Sequence, residues 1–392
     1  MPPTPDRLNQ YSQRRLARLG SLPSLRHGPA GPAQAWYVAD ELLVVDDGRK
    51  QVEQYLAANH AAGAGGDEEI HPGLRRYHVT GLDVPGTVRA MRLAHPTRRA
   101  VVSPNHVFLS TPFNHGGPFG PPTPTTAAAF PPPPQNVPAV PVAIIDTGLW
   151  ADTELPAAYL DKDLVDYETA TDVDNDGLLD GDVGHANFIA GVIAAHAPRC
   201  ALRVLKVLDT FGVCTEDTLI AALDRLDPAT TVVNLSLGGF TADDAPPLGL
   251  DVALENALSG RDRVLVAAAG NNGNRTSPFW PAAFAGAGRP WSSQVVAVAA
   301  HDGTDLCTWS NAGSWVTFAA PGQDIDSTFI SHTTFFPDGW ALWSGTSFAA
   351  PRVAAEIAAL VTAQTGACAA LERVTAGVTA ANITFDGYRA LL

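Results

Sequence analysis

Apolar residues along the second half of this chain alternate between two patterns. Short continuous runs occur at Val142–Ile145, Val204–Leu208, Val232–Leu235 and Val264–Ala269, with Lys206 and Asn234 as their polar interruptions. Runs of this length predict strands buried on both faces, as in a parallel sheet. Between them lie stretches of helical spacing. Phe188, Ile189, Val192 and Ile193 recur so as to predict a helix starting at His185, with His185 facing out of the core. Phe348 to Leu360 is a long Ala-rich stretch that holds Pro351. Proline is tolerated near a helix start, so this helix is predicted to open at Ser347.

The front of the chain reads differently. Trp36–Val45 predicts a strand or strand pair, Arg49–Asn59 a helix, Arg75–Val79 a strand, Val84–Leu93 a helix and Arg99–Leu109 a strand. That order suits a small α+β, ferredoxin-like unit. Four segments follow: polar 1–26, α+β 27–111, Pro-rich 112–138 and α/β 139–392. Nine prolines between Gly117 and Pro138 predict an extended, semi-rigid connection.

Three motifs bring in chemistry. Asp146 closes Ile144-Ile145-Asp146-Thr147-Gly148, at the carboxyl end of a predicted strand, where open α/β sheets carry their sites. His185 sits in Gly184-His185-Ala186-Asn187-Phe188-Ile189-Ala190-Gly191, and Ser347 in Ser344-Gly345-Thr346-Ser347-Phe348-Ala349-Ala350-Pro351. Asp, His and Ser are the residues of a nucleophilic serine hydrolase. A serine at a helix start is also near free N–H groups and the positive end of the dipole, which favour a developing oxyanion. Asn271, in Ala268-Ala269-Gly270-Asn271-Asn272-Gly273, can offer an amide to that oxyanion. Each residue alone also fits a plain turn or cap; the argument rests on their order together.

With these motifs the chain resembles the subtilisin-like serine proteases, the subtilases (peptidase family S8), from about Val140 onward. The resemblance implies a three-layer α/β fold with a mostly parallel sheet. It implies that Asp146 is the triad acid, His185 the base, Ser347 the nucleophile and Asn271 the oxyanion donor. Leu235, Ser236, Leu237 and Gly238, with Ala268, Ala269 and Gly270, would line the primary specificity pocket. Gly212, Val213 and Cys214 would form the edge strand that pairs with an extended substrate. Glu216, just beyond, is read as favouring basic residues before the cut. The unit at 27–111 resembles, in pattern and place, the intramolecular chaperone propeptides that precede subtilases; an unrelated accessory domain is the alternative. The chain departs from the family pattern GHGTHVAG, with Ala186-Asn187-Phe188 after the histidine, and carries Arg352 and Ala355 where His and Gly are usual.

Charge changes the picture of how the parts relate. Up to Gly116 there are 13 Lys and Arg against 10 Asp and Glu; beyond it there are 12 against 30. No basic patch points to nucleic acid, and the asymmetry predicts attraction between front and back. No apolar run is long enough to span a membrane, and the polar, Arg-containing start is not a secretory signal, which gives a cytoplasmic expectation with secretion as the alternative. Cys200, Cys214, Cys307 and Cys368 lack paired spacing and are expected as free thiols. Asp172, Asp174, Asp176 and Asp180 alternate around Gly177, a spacing that suits a structural Ca²⁺ ion or else a solvated acidic loop. The reading is a serine endopeptidase acting on extended peptide or protein, as a dedicated processing enzyme; a general degradative protease and a silent peptide-binding relative are the alternatives.

Overall fold

The computed structural model describes residues 14, 17–28, 34–59, 64–94, 100–110 and 121–392, apart from 127, 129, 135 and 333. Its front unit runs β1 (Leu25–His27), β2 (Trp36–Val45), α1 (Arg49–Asn59), β3 (Ala64–His71), β4 (Leu74–Val79), α2 (Val84–Ala94) and β5 (Val102–Leu109). The strands pair antiparallel in the order β5-β2-β4-β3, with β1 beside β2. Val52 and Leu56 of α1 and Val84, Val88 and Met91 of α2 close over Leu42, Val44, Tyr77 and Val102. This is the ferredoxin-like arrangement, with β1 and β3 as strands that the apolar pattern does not predict. β3 reads Ala-Gly-Gly-Asp-Glu-Glu-Ile-His and lies at the far edge of the sheet. Its hold is ionic: Arg75 on β4 reaches Asp67 at 2.6 Å and Arg76 reaches Glu68 at 2.6 Å.

The main unit contains β6 (Thr123–Pro124), β7 (Val140–Asp146), β8 (Leu160–Val165), α3 (His185–His196), β9 (Cys200–Lys206), β10 (Val213–Thr215), α4 (Glu216–Asp224), β11 (Val232–Leu235), α5 (Leu248–Leu258), β12 (Val264–Ala268), β13 (Val295–His301), β14 (Phe318–Pro321), β15 (Ile325–Thr328), β16 (Trp340–Trp343), α6 (Thr346–Leu360) and α7 (Ala367–Ala381). Seven of these strands form one sheet, ordered β14-β13-β12-β11-β7-β9-β8, with every pairing parallel. Helices cover both of its faces, which is why its central strands are apolar throughout. Val142, Ile144 and Val266 pack toward α3 and α6, while Ala143, Ile145 and Leu265 pack toward α4 and α5. The result is a three-layer α/β fold.

The described part of the Pro-rich connection is laid against this unit. Thr123–Pro124 pairs with β16, and the Phe130 ring lies 5.6 Å from Trp340 and 6.0 Å from Tyr159. Among the described residues no helix is long and apolar enough to cross a membrane.

The two units share a sheet. β5 pairs antiparallel with β10, setting Leu109 against Val213, Phe108 against Cys214 and Thr215 against Val107. Leu43, Leu74 and Phe108 join the core formed by Leu219, Ile220 and Leu250. A Cβ on Gly249 would stand 2.7 Å from Ile220 and 2.9 Å from Leu43, so α5 approaches the front sheet more closely than a side chain permits. Polar groups complete the contact. His106 meets Glu216 at 2.6 Å, His71 meets Asp224 at 2.8 Å, and Asn105 and Arg76 both reach Asp217. Arg76 is the full cation of this set, and all the carboxylates come from the main unit.

Candidate active site

Asp146 ends β7 and is fully buried. Its Oδ1 accepts from the Thr147 backbone N–H at 2.8 Å and lies 2.6 Å from His185 Nδ1. His185 is the first residue of α3, reached through Gly184 at φ +80°, where a Cβ would stand 2.5 Å from Phe329. The turn therefore requires glycine. His185 Nε2 has no hydrogen-bond partner among the described residues.

The histidine does not face out of the core; it is fully buried. α3 is wedged between the sheet and α6, and the imidazole lies 5.6 Å from the Trp343 ring and 5.5 Å from the Phe348 ring. The residues that depart from the family pattern build this surround. Phe188 packs 4.3 Å from Phe348, ring centre to ring centre, and edge-on to Trp343. The Asn187 side chain bonds both the N–H and the carbonyl of Trp150 at 2.9 Å. Ala186 donates its N–H to Thr147 Oγ1 at 3.1 Å.

Ser347 is the second residue of α6, and its hydroxyl donates to the Ser236 carbonyl at 3.2 Å. The helix opens at Thr346, one residue before the predicted start, and Pro351 lies a turn inside it. Four residues after Ser347, it has no N–H to give the Ser347 carbonyl. That carbonyl instead accepts from Ser236 Oγ at 2.8 Å. Ser236 thus touches Ser347 through both its backbone and its side chain.

Asn271 is buried, and its Oδ1 accepts from the Thr346 N–H at 2.9 Å and the Thr346 hydroxyl at 2.8 Å. An amide carries its oxygen and its NH₂ on opposite arms, so these bonds decide which arm each is. Gly270 donates to Thr346 Oγ1 at 3.0 Å and holds φ +94°, with room for a Cβ closed by Asn311 Nδ2 at 2.4 Å. Asn311 donates to the Ala269 carbonyl at 2.9 Å and accepts from the N–H groups of Asn272 and Asn274. Thr346 and Asn311 were not foreseen. Thr346 directly precedes the serine, but Asn311 lies in a loop without a pattern of its own.

β5 runs between Gly212–Cys214 on one edge and Gly238 on the other, and Leu235–Gly238 and Ala268–Gly270 are buried. Leu109 and Gly238 bond in both directions at 2.9 Å, and the Ser110 N–H donates to the Gly212 carbonyl at 3.0 Å. Phe108 is fully buried, and a Cβ on Gly239 would lie 3.1 Å from its ring. Burial holds the Cys214 thiol well above its ordinary pKa, with Asp209 and Asp146 adding to the effect. Glu216 does not await a basic side chain in the cleft. Its carboxylate is buried, taking His106 Nδ1 at 2.6 Å and the Leu250 N–H at 2.9 Å.

Asp172, Asp174 and Asp176 offer oxygens within 4.8 Å of one another. Asp172 accepts from the N–H groups of Asp176 and Gly177 at 3.0 and 2.9 Å, wrapping the loop around the φ +79° turn at Gly177. Asp180 is buried beside them, with Oδ2 held by Thr210 and the Val173 N–H. Burial raises its pKa, and Asp174 raises it further. The oxygen donors and the sharp glycine turn fit a hard cation. The four cysteines are free thiols, three buried and Cys368 half-buried.

Residues 138–381 match the model of the subtilase family. The chain belongs to that family. It is 34% identical over 233 residues to a thermophilic serine proteinase of Bacillus sp. (strain AK1), covering 57% of this chain and 52% of that protein. It is 35% identical over 204 residues to thermitase of Thermoactinomyces vulgaris, covering 49% of this chain and 66% of thermitase. The chain thus spans about half to two thirds of these relatives. Among solved structures, fervidolysin from Fervidobacterium pennivorans, a keratinolytic enzyme related to subtilisin, superposes with a TM-score of 0.56 at 19% identity. That match covers 87% of this chain and 58% of fervidolysin, so it reaches into the front unit.

Proposed function

We propose that this subtilase is a serine endopeptidase in a self-blocked state. The observation that carries the reading is the 2.6 Å contact of buried Asp146 with His185 Nδ1, which leaves Nε2 without a hydrogen bond among the described residues, in a ring 5.5 Å from that of Phe348, the residue after Ser347. Asp146 fixes the imidazole's orientation and stabilises its charged form. His185 Nε2 takes the proton from Ser347 Oγ, Ser347 attacks the scissile carbonyl, and His185 returns the proton to the departing amine. The Ser347 N–H and the Asn271 amide receive the oxyanion. Substrate enters as an extended strand between Gly212–Cys214 and Leu235–Gly238, the place now held by residues 107–110.

The front unit is read as a propeptide-like inhibitor and folding partner. Its support is the two-sided pairing of β5 and the packing of α4 and α5 against the front sheet. Because the cleft takes a strand bonded on both sides, with a buried aromatic ring at Phe108, selective processing of particular chains is the proposed role. The deciding test is an active-site fluorophosphonate. Full-length protein should label slowly, protein whose front unit has been removed after folding should label fast, and Ser347→Ala should not label at all. Equal labelling of Ser347→Ala would end the triad assignment, and fast labelling of the intact chain would end the self-blocked reading.

A further inference from the structure

Arg14 lies far from the acidic loop in sequence, yet its guanidinium is spent on that loop. Nε pairs with Asp176 Oδ2 at 2.9 Å, and Nη2 donates to Asp176 Oδ1 at 3.1 Å. Nη1 donates to the Leu179 carbonyl at 3.0 Å. Nη2 also stands 3.8 Å from Asp174 and 3.9 Å from Asp180 Oδ1. That last oxygen is buried and has no hydrogen bond. Carboxylates and a carbonyl are the oxygens a hard divalent cation takes. One guanidinium charge answers four carboxylates, so the cluster stays negative and one buried oxygen stays unsatisfied.

We propose that Arg14 and a calcium ion exclude each other at this loop, so that calcium releases the N-terminal segment from the main unit. The proposal deepens the reading of Asp172, Asp174, Asp176 and Asp180 as a calcium site. The segment's other holds are modest. Arg18 stands 3.8 Å from Asp209 and over the Phe211 ring, and Leu19 is buried against a small cluster with Leu25 and Phe211. Arg14 also borders a cavity lined by Pro121, Leu178 and Phe336, which gives the side chain a way out without unpacking the core. Coupling of this kind is reciprocal: whatever Arg14 subtracts from calcium affinity, calcium subtracts from the hold of Arg14.

Calcium chloride titrated into the full chain carrying Ser347→Ala, followed by calorimetry, tests the idea. Arg14→Gln should tighten calcium binding about 10-fold, within the usual range of coupling between sites. Arg18→Gln removes the same charge away from the loop and should leave the affinity within about twofold, because exposed charges at a distance are screened. Saturating calcium should also speed amide exchange at residues 17–21. Equal affinity in Arg14→Gln and its parent overturns the exclusion while leaving the calcium site standing. Absence of binding in both overturns the calcium site and the exclusion with it.

Discussion

Leu109 and Gly238 exchange both backbone hydrogen bonds at 2.9 Å, while Leu109 is also paired with Val213 across the other side. On the self-blocked reading proposed above, a strand bonded on both edges in this way fills the place of substrate. Its neighbour Phe108 supplies the apolar anchor, since none of its surface is exposed. Phe108→Ala should cost the docking about 3 kcal/mol, the range for a buried aromatic. Residues 1–111 supplied to the active enzyme should then inhibit about 100-fold less well, as read from steady-state rates on a small peptide. An unchanged inhibition constant would mean that the strand is not the blocking element.

The same pairing makes a statement about self-cleavage. Residues 111–120 lie outside the described residues, but the Leu109–Gly238 register predicts Thr111–Pro112 as the bond to be cut at Ser347. A proline nitrogen is a tertiary amide with a ring on the leaving side, and it has no N–H to offer. Intact mass should show this bond uncut in purified protein, and Pro112→Ala should release a front fragment ending at Thr111. Cleavage at 111 in the parent would refute the protection by proline, and a Pro112→Ala fragment with a different end would refute the register.

Asn271 owes its orientation to Thr346. Asn271→Ala should lower kcat about 10²–10³-fold with little change in KM, as for loss of a preorganised oxyanion donor. Thr346→Val removes the hydroxyl's bond to Asn271 Oδ1 and leaves only the backbone N–H to hold it, so kcat should fall by up to about 10-fold, less than for loss of the donor itself. Thr346→Val at full kcat would show that the orientation is fixed elsewhere.

Pro351 and Ser236 are coupled through the Ser347 carbonyl. Ser236→Ala leaves that buried acceptor without a donor and should destabilise the fold by about 1–3 kcal/mol. Adding Pro351→Ala restores a helical N–H to the same carbonyl, so the double variant should melt higher than Ser236→Ala alone. Additive losses in a thermal double-mutant cycle would show no such exchange.

His301 carries a pH dependence. Burial lowers its pKa, only partly offset by its bond to the Leu391 carbonyl and by Asp302. Its Nδ1 accepts from the Gly303 N–H at 3.0 Å, so protonation there would break a bond. The unfolded chain then binds the proton more readily. The stability contribution is complete above the ordinary histidine pKa near 6.5 and is lost as pH falls toward the lower folded value. Melting temperature should drop between about pH 7 and pH 5, and His301→Asn should flatten that drop. An identical slope in the variant would place the titration at another group.

How far the sequence carried these conclusions differs between residues. Asp146, His185 and Ser347 are legible because Asp146 sits where an apolar run stops and the other two where one begins, and a strand end or helix start is a local property. β3 is not, because a polar edge strand held by cross-strand ion pairs has no apolar alternation to read. Glu216 was misread for a related reason. Its partners, His106 and Leu250, come from distant parts of the chain, and local sequence showed only an acid after a strand. Arg14, Asn311 and the exchange between Pro351 and Ser236 belong to the same class, since long-range pairing sets their roles.

β5 lies between β2 and β10, so one hydrogen-bonded ladder crosses from the front unit into the main one. Parting them bares two strand edges at once, one on each piece. On the self-blocked reading proposed above, the departing edge would itself be an extended peptide open to cutting, and the lag before activity would be a clock, wound by how long that ladder holds rather than by the speed of chemistry at Ser347.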